Sequence, residues 1–187
     1  MRIVGGKYKG RVLTEFKGQE VRPTSDMVRE SLFNILQFNI YGKTFLDLCS
    51  GTGAIGIEAI SRGAKSVTFN DFSKKSLALI KENLQKLKVD EEYKLVNFDA
   101  VTLLQTGQKY DIIFIDPPYK SDLKERCLQV AHLALNPDGI VILEDENKWD
   151  KELENLVMYD SRKYGRVHLT FFKGRELYEN LCFCRDF

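Results

Sequence analysis

Apolar and polar positions follow two different rhythms along this chain. Between residues 25 and 39, Val28, Leu32, Ile35 and Leu36 recur at three- and four-residue intervals, the spacing that lines one face of a helix. Pro23 breaks the chain just before, and Thr24, Ser25 and Asp26 are residue types that cap helix N-termini. From Thr44 onward, short apolar runs alternate with helical segments. Strands are predicted at Thr44 to Leu48, Ser66 to Asn70, Lys94 to Phe98, Tyr110 to Ile115 and Gly139 to Leu143. Helices are predicted at Ala54 to Arg62 (ended by Gly63), Lys74 to Lys88 and Leu123 to Leu135, the last stopped by Asn136-Pro137-Asp138-Gly139. A short helix is expected near Trp149 to Asn155. Two late strands, Met158 to Tyr164 and Val167 to Phe172, have only Gly165-Arg166 between them, which is hairpin spacing. Residues 1–22 carry Gly5, Gly6, Gly10 and Gly18 between β-prone pieces and predict a small hairpin or arm.

Strands separated by helices predict an α/β fold with a doubly wound, mostly parallel seven-stranded sheet, and the closing antiparallel hairpin makes the sheet mixed. Ligands of such sheets bind at the carboxyl ends of the strands. The expected organisation is a basic extension over 1–43, a core over 44–173 and a tail over 174–187, forming a single compact domain.

The 187 residues suit one domain. No stretch approaches the ~20 apolar residues of a membrane span, and the first residues lack the apolar core of a signal peptide, so a cytoplasmic protein is expected. Four cysteines without a C-x-x-C pair, and two histidines, predict free thiols and no metal. The formal net charge is +1, but residues 1–43 hold eight Lys or Arg against four acids. A basic end on a mildly acidic body points to an arm that meets phosphates. Its candidates are Arg2, Lys7, Lys9, Arg11, Arg22 and Thr24.

The candidate chemistry lies at the predicted strand ends. The first strand runs into Asp47-Leu48-Cys49-Ser50-Gly51-Thr52-Gly53, whose glycines permit a tight turn with backbone N–H groups close to a ligand. Asp71 ends the second strand, 18 residues beyond Gly53, where a carboxylate can accept from both hydroxyls of a ribose. Phe72 can pack on an adenine, and Asp99-Ala100, after the third strand, places an acceptor for an adenine amino group. Ser50 and Thr52 complete this candidate set. Gly51 to Gly56 also fits G-x-G-x-x-G, so a nicotinamide dinucleotide stays open as an alternative. Asp47 pulls the other way, since its charge repels a pyrophosphate but suits the cationic amino group of a methionine moiety.

Strand four delivers Asp116-Pro117-Pro118-Tyr119 to the same edge. The prolines fix the backbone and remove two N–H donors, leaving carbonyls to accept hydrogen bonds. An exocyclic base amino group is a poor nucleophile because its lone pair is delocalised. A carboxylate and a carbonyl accepting from its N–H bonds hold the nitrogen and stabilise the charge that appears on methyl transfer. Tyr119 can stack on a base extruded from its neighbours. Guanine presents adjacent N1–H and N2 amino donors, which one carboxylate accepts together, so Asp116 leans towards guanine.

These residues resemble the bacterial small-subunit rRNA guanine-N2 methyltransferases of the RsmD type. The opening Met1-Arg2-Ile3-Val4-Gly5-Gly6-Lys7-Tyr8-Lys9-Gly10-Arg11 is similar to that family's amino terminus. So are Arg22-Pro23-Thr24-Ser25-Asp26 and Arg29-Glu30-Ser31-Leu32-Phe33-Asn34-Ile35-Leu36, and the turn, Asp71 and Asp116 to Tyr119 follow in family order. The resemblance covers about residues 1–173. It implies a Rossmann-like class I fold, S-adenosylmethionine as cofactor (S-adenosylhomocysteine as product), and methylation of one guanine N2 in 16S rRNA on the assembled small subunit by a monomer. It also implies Asp116, Pro117 and Tyr119 in the base pocket, and Asp47, Gly51, Gly53, Asp71 and Asp99 at the cofactor. The chain departs from many relatives at Asp71 and Ser73, where they carry Glu and Asp. The rival readings are a DNA adenine-N6 methyltransferase, for which 187 residues leave little room for a recognition domain, and a nicotinamide-dependent oxidoreductase.

Overall fold

The computed structural model describes residues 1–16, 25–118 and 121–175. Arg22, Thr24, Tyr119, Cys182, Cys184 and the tail from residue 176 lie outside the described residues. Two compact units divide at Asp99, namely Met1–Asp99 and Ala100–Phe187. The expected 1–43 extension falls wholly within the first.

In the first unit, Ile3 donates to the Arg11 carbonyl at 3.0 Å and Leu13 to the Met1 carbonyl at 3.0 Å, with an antiparallel bridge between Arg2 and Val12. The expected hairpin is therefore present, but it is packed down rather than free, since Ile3, Tyr8 and Leu13 are buried. Helix α1 runs over Asp26–Ile35, capped by the Ser25 hydroxyl accepting from Val28 N–H. It stops short of residue 39 because the chain tightens into turns, with Asn39 N–H donating to the Leu36 carbonyl at 2.7 Å. Then follow β1 (Thr44–Asp47), α2 (Ala54–Ser61), β2 (Ser66–Asn70), α3 (Lys74–Leu87) and β3 (Glu92–Val96). Strands β1, β2 and β3 pair in parallel, with Asp47 level with Phe69 and Asn70 with Val96. The β3 ladder begins two residues before the predicted start at Lys94. Its half-exposed positions give weak periodicity, and pairing with β2 decides its ends.

The second unit opens with an unforeseen short helix, α4 (Ala100–Leu104). Then come β4 (Tyr110–Ile115), α5 (Leu123–Val130), a 3-10 turn at Ala131–Ala134, β5 (Leu135–Asp145), β6 (Leu156–Tyr164) and β7 (Val167–Gly174). The expected helix over Leu123 to Leu135 ends early. Leu135 already pairs with Tyr110, and Asn136 to Gly139, taken above as a helix stop, forms an irregular start to β5. Asp138 there has a φ of 63°. The helix expected near Trp149 to Asn155 is absent. Trp149 packs edge-on against Phe172 at 6.3 Å, and Arg175 donates to the carbonyls of Leu153 and Glu154, which an external donor satisfies instead of a helical N–H. Strands β5 and β7, and β7 and β6, pair antiparallel, giving the predicted hairpin with Gly165 at a φ of 62° in the turn. The seven strands form one mixed sheet in the order β3-β2-β1-β4-β5-β7-β6.

Candidate functional site

In the first unit, the turn between β1 and α2 is built on positive-φ glycines, with Gly51 at 51° and Gly53 at 76°. A side chain at Gly53 would start 2.6 Å from Ile80 Cγ1, and one at Gly56 would start 2.2 Å from the Phe69 ring. Both glycines let the helix close onto its neighbours. The Ser50 hydroxyl donates within 2.7 Å of the Asp47 carbonyl and 3.0 Å of the Asn70 carbonyl. The Gly-rich turn is thereby sewn to the end of β2.

Asp47 is buried, and its Oδ2 accepts from Gly56 N–H at 2.9 Å, inside the first turn of α2. That helix end carries partial positive charge and orphan N–H donors, the features a pyrophosphate uses when it binds there. Here a carboxylate of the chain itself takes one of those donors and supplies the negative charge. This disfavours a dinucleotide phosphate and leaves the G-x-G-x-x-G spacing to serve the turn.

Asp71 braces the loops. Its Oδ2 accepts from Gly51 N–H at 2.8 Å and its Oδ1 from Ser73 N–H at 2.7 Å. An ionised carboxylate has about four lone-pair sites, so capacity for ribose hydroxyls is left. Two asparagines absent from the sequence-based set hold this edge together. Asn70 donates to the Leu48 carbonyl and accepts from Phe98 N–H, both at 3.0 Å. Asn97 donates to the carbonyls of Asp71 at 2.8 Å and Phe72 at 2.9 Å. Their only sequence signal was an amide at a strand end. Phe72 is 85 % exposed and Phe98 50 %. Thr52 is buried and Asp99 exposed beyond β3.

In the second unit, Asp116 is half-buried, Pro117 buried and Pro118 exposed just beyond β4. The expectation that the carbonyls beside both prolines are available needs correction. The Pro118 carbonyl accepts from Ser121 N–H at 3.1 Å and from the Ser121 hydroxyl at 2.8 Å. These bonds lock the turn and leave Pro117 as the better acceptor. Ala100 is the buried first residue of α4.

The structure redistributes the basic end. Lys7 Nζ lies 2.5 Å from Asp90 Oδ1 and 2.9 Å from Glu91 Oε1. The two carboxylates, Asp90 first, hold the ammonium above its ordinary value, and Lys7 holds Asp90 below its own. Arg2 lies 3.7 Å from Asp26, and Arg11 reaches the Lys86 carbonyl at 3.4 Å. Lys9 is exposed. Arg29, counted above with the basic end, is 1 % exposed and lies beside the fully buried Glu58. Glu58 accepts from Arg62 at 2.8 Å and from Val4 N–H at 2.9 Å. Much of the N-terminal charge is thus spent within the protein. Among the described residues no cluster of His, Cys, Asp and Glu is arranged to hold a metal, and no helix is long and apolar enough to cross a membrane.

A family model described as "Conserved hypothetical protein 95" matches residues 1–173. The Haemophilus influenzae protein named "Ribosomal RNA small subunit methyltransferase D" is 33 % identical over 183 residues, covering 93 % of this chain and 94 % of its own. The solved structure of yhhF from Escherichia coli is 31 % identical with a TM-score of 0.83, covering 93 % of this chain and 97 % of its own. A third solved chain, complexed with SAH, shares the fold at a TM-score of 0.62 and 21 % identity, with 78 % of this chain and 49 % of its own covered. The chain belongs to the RsmD-type methyltransferase family.

Proposed function

We propose that this protein methylates the exocyclic N2 of a guanine in 16S rRNA, with the assembled small subunit as substrate. What carries the reading is the Asp116-Pro117-Pro118 turn at the end of β4, with a half-buried carboxylate and the Pro118 carbonyl withdrawn by Ser121. S-adenosylmethionine, the cofactor of this reading, would supply an electrophilic methyl on a sulfonium that is already a good leaving group. The residues of the chain do the positioning. Asp71 accepts from the ribose hydroxyls, Phe72 packs on the adenine, and Asp99 accepts from its amino group. Asp47 holds the start of α2 so that Gly51 to Gly53 keep their turn, and its charge suits the methionine amino group.

Asp116 accepts from guanine N1–H and from one N2–H, and the Pro117 carbonyl accepts from the other. Two acceptors on one amino group draw its lone pair out of the ring and stabilise the positive charge that develops as the methyl arrives. Holding the nitrogen in line with the sulfonium methyl is the other large contribution. Adenine presents an acceptor at N1 beside its amino group and sets a lone pair against the carboxylate. Tyr119 stacks on the extruded base.

The test is transfer of labelled methyl from S-adenosylmethionine to small subunits from cells lacking the enzyme, to naked 16S rRNA and to double-stranded DNA, followed by nucleoside digestion. The expected product is N2-methylguanosine from subunits. N6-methyladenine from DNA would overturn the substrate assignment and keep the cofactor.

A further inference from the structure

Residues 156–175 hold five Lys or Arg against one acid, an excess equal to that of the whole N-terminal 43 residues in less than half the length. The register places these charges. Ile115 is level with Leu143 on β5, Leu143 with Thr170 on β7, and Thr170 with Ser161 on β6. One residue further, Glu144, Leu169 and Arg162 share a row, and Asp116 directly follows Ile115 at the end of β4. The next row runs from Asp145 through His168 to Lys163. The turn Gly165-Arg166 projects past that row. The hairpin tip therefore lies on the carboxyl edge of the sheet, the edge that carries Asp116. It is three strand spacings away, on the order of 14 Å.

The cations of this hairpin differ in what they already do. Arg162 is paired with Asp160 at 2.9 Å, Lys173 lies over the Tyr159 ring at 5.2 Å, and Arg175 caps the loop carbonyls described above. Lys163 and Arg166 are exposed and make no ion pair with the described residues. Of the acids at the end of β5, Glu146 is exposed and the two before it are covered. Glu144 and Asp145 are buried, and Asp145 is paired with Lys124. In the N-terminal segment Lys7, Arg2 and Arg29 have carboxylate partners, Arg11 reaches a carbonyl and Lys9 is exposed, whereas Lys163 and Arg166 stand together at the β6–β7 tip.

We propose that the β6–β7 tip, through Lys163 and Arg166, holds the phosphate backbone of the RNA that flanks the target nucleotide. This rests on the reading of Asp116 as the base-amino acceptor. A nucleotide extruded towards Asp116 leaves its neighbours along the same sheet edge, and their phosphates are the dense negative charge that two unpaired cations fit. Lysines on an edge strand also guard against strand pairing between molecules. That alternative predicts a different result below.

The experiment compares the full-length protein with K163E/R166E and with the charge-keeping K163R/R166K. Each is assayed for RNA affinity from 50 to 200 mM salt, for KM and kcat on small subunits, and for S-adenosylmethionine binding. Losing two phosphate contacts on a single strand removes about 1.4 from the salt slope. Wild-type affinity should therefore fall about sevenfold more steeply than that of K163E/R166E across that range. KM should rise, kcat and cofactor binding should hold, and K163R/R166K should behave as wild type. An unchanged salt slope and KM in K163E/R166E, with or without new aggregation, overturns the tip as an RNA contact and leaves the proposed reaction standing. Failure of the wild type itself to methylate RNA removes the reading on which the tip depends.

Discussion

Asp116 and Asp71 are both strand-end carboxylates, and their surroundings assign them different work. Asp116 sits among prolines that donate nothing and beside a carbonyl already engaged by Ser121. Asp116→Ala should lower kcat by about 10²- to 10³-fold, the loss usual for one preorganised polar group, while equilibrium dialysis shows cofactor affinity retained. Near-normal turnover in that variant would remove Asp116 from the mechanism. Asp71 accepts from Gly51 and Ser73 and in the proposed reading holds the ribose, so Asp71→Ala should weaken cofactor binding by about 10- to 100-fold through lost charge-assisted hydrogen bonds. Full affinity by calorimetry would make it only a loop brace. The sequence placed both acids through their position after an apolar strand. It did not show Asn70, Asn97 or Ser121, because an amide or hydroxyl is recruited by whichever backbone groups the fold brings within 3 Å.

Helix α2 organises the first unit at both ends. Its start is held by Asp47, and its last residue, Ser61, receives the N-terminal segment. Lys7 N–H donates to the Ser61 carbonyl at 2.7 Å, Tyr8 N–H donates to its hydroxyl at 2.9 Å, and that hydroxyl donates to the Gly5 carbonyl. At Gly6, φ is 74° and an added Cβ would lie 1.8 Å from the Ser61 carbonyl oxygen. Gly6→Ala should therefore destabilise by about 1–3 kcal/mol, seen as a lower urea midpoint. An unchanged midpoint would show that the segment contributes nothing to the stability of the unit. The glycine pair was visible in the sequence as a turn signal; that it answers to one carbonyl on a helix over fifty residues away was not. Boundaries strayed for the same kind of reason. The ends of β3 and β5 are decided by the partner strand, and residues 149–155 lost their helix to Trp149 and Arg175.

Charge acts over the whole molecule, and burial changes its meaning. Arg29, Glu58 and Arg62 form an ion network that joins α1, α2 and the N-terminal segment through Glu58 and Val4. Removing one partner of such a buried set strands the others, so Glu58→Gln should cost about 3–5 kcal/mol by denaturant unfolding; a loss below 1 kcal/mol would mean the network is dispensable. The Lys7–Asp90–Glu91 contact is exposed and behaves differently. Asp90, lowered by Lys7, contributes stability that is present above its ordinary 3.8 and lost as pH falls through the lower folded value. Lys7, raised chiefly by Asp90, contributes stability present below 10.5 and lost as pH rises through the higher folded value. Amide resonances of Tyr8 and Glu91 should hold steady between those limits and move together on acidification below 3.8. At pH 8, added salt should speed tryptic cleavage after Lys7, since exposed pairs are screened; a salt-independent rate would show that hydrogen bonding to Ser61 alone holds the segment.

By itself the sequence determined the kind of fold and the kind of chemistry. Apolar periodicity specifies strands and helices locally, the order of elements dictates a mostly parallel sheet, and a parallel sheet gathers its strand ends at one edge. Asp47, Asp71, Asp99 and Asp116 are candidates on that ground before any contact is known. Only the tertiary structure decided which charges are spent and which remain. Coulomb energy depends on distance and dielectric, neither of which is written in residue order. Arg2 and Lys7 are candidates for an RNA-binding arm in the sequence and are partnered in the fold. Lys163 and Arg166, no more than strand and turn residues in the sequence, stand exposed on the edge that carries Asp116.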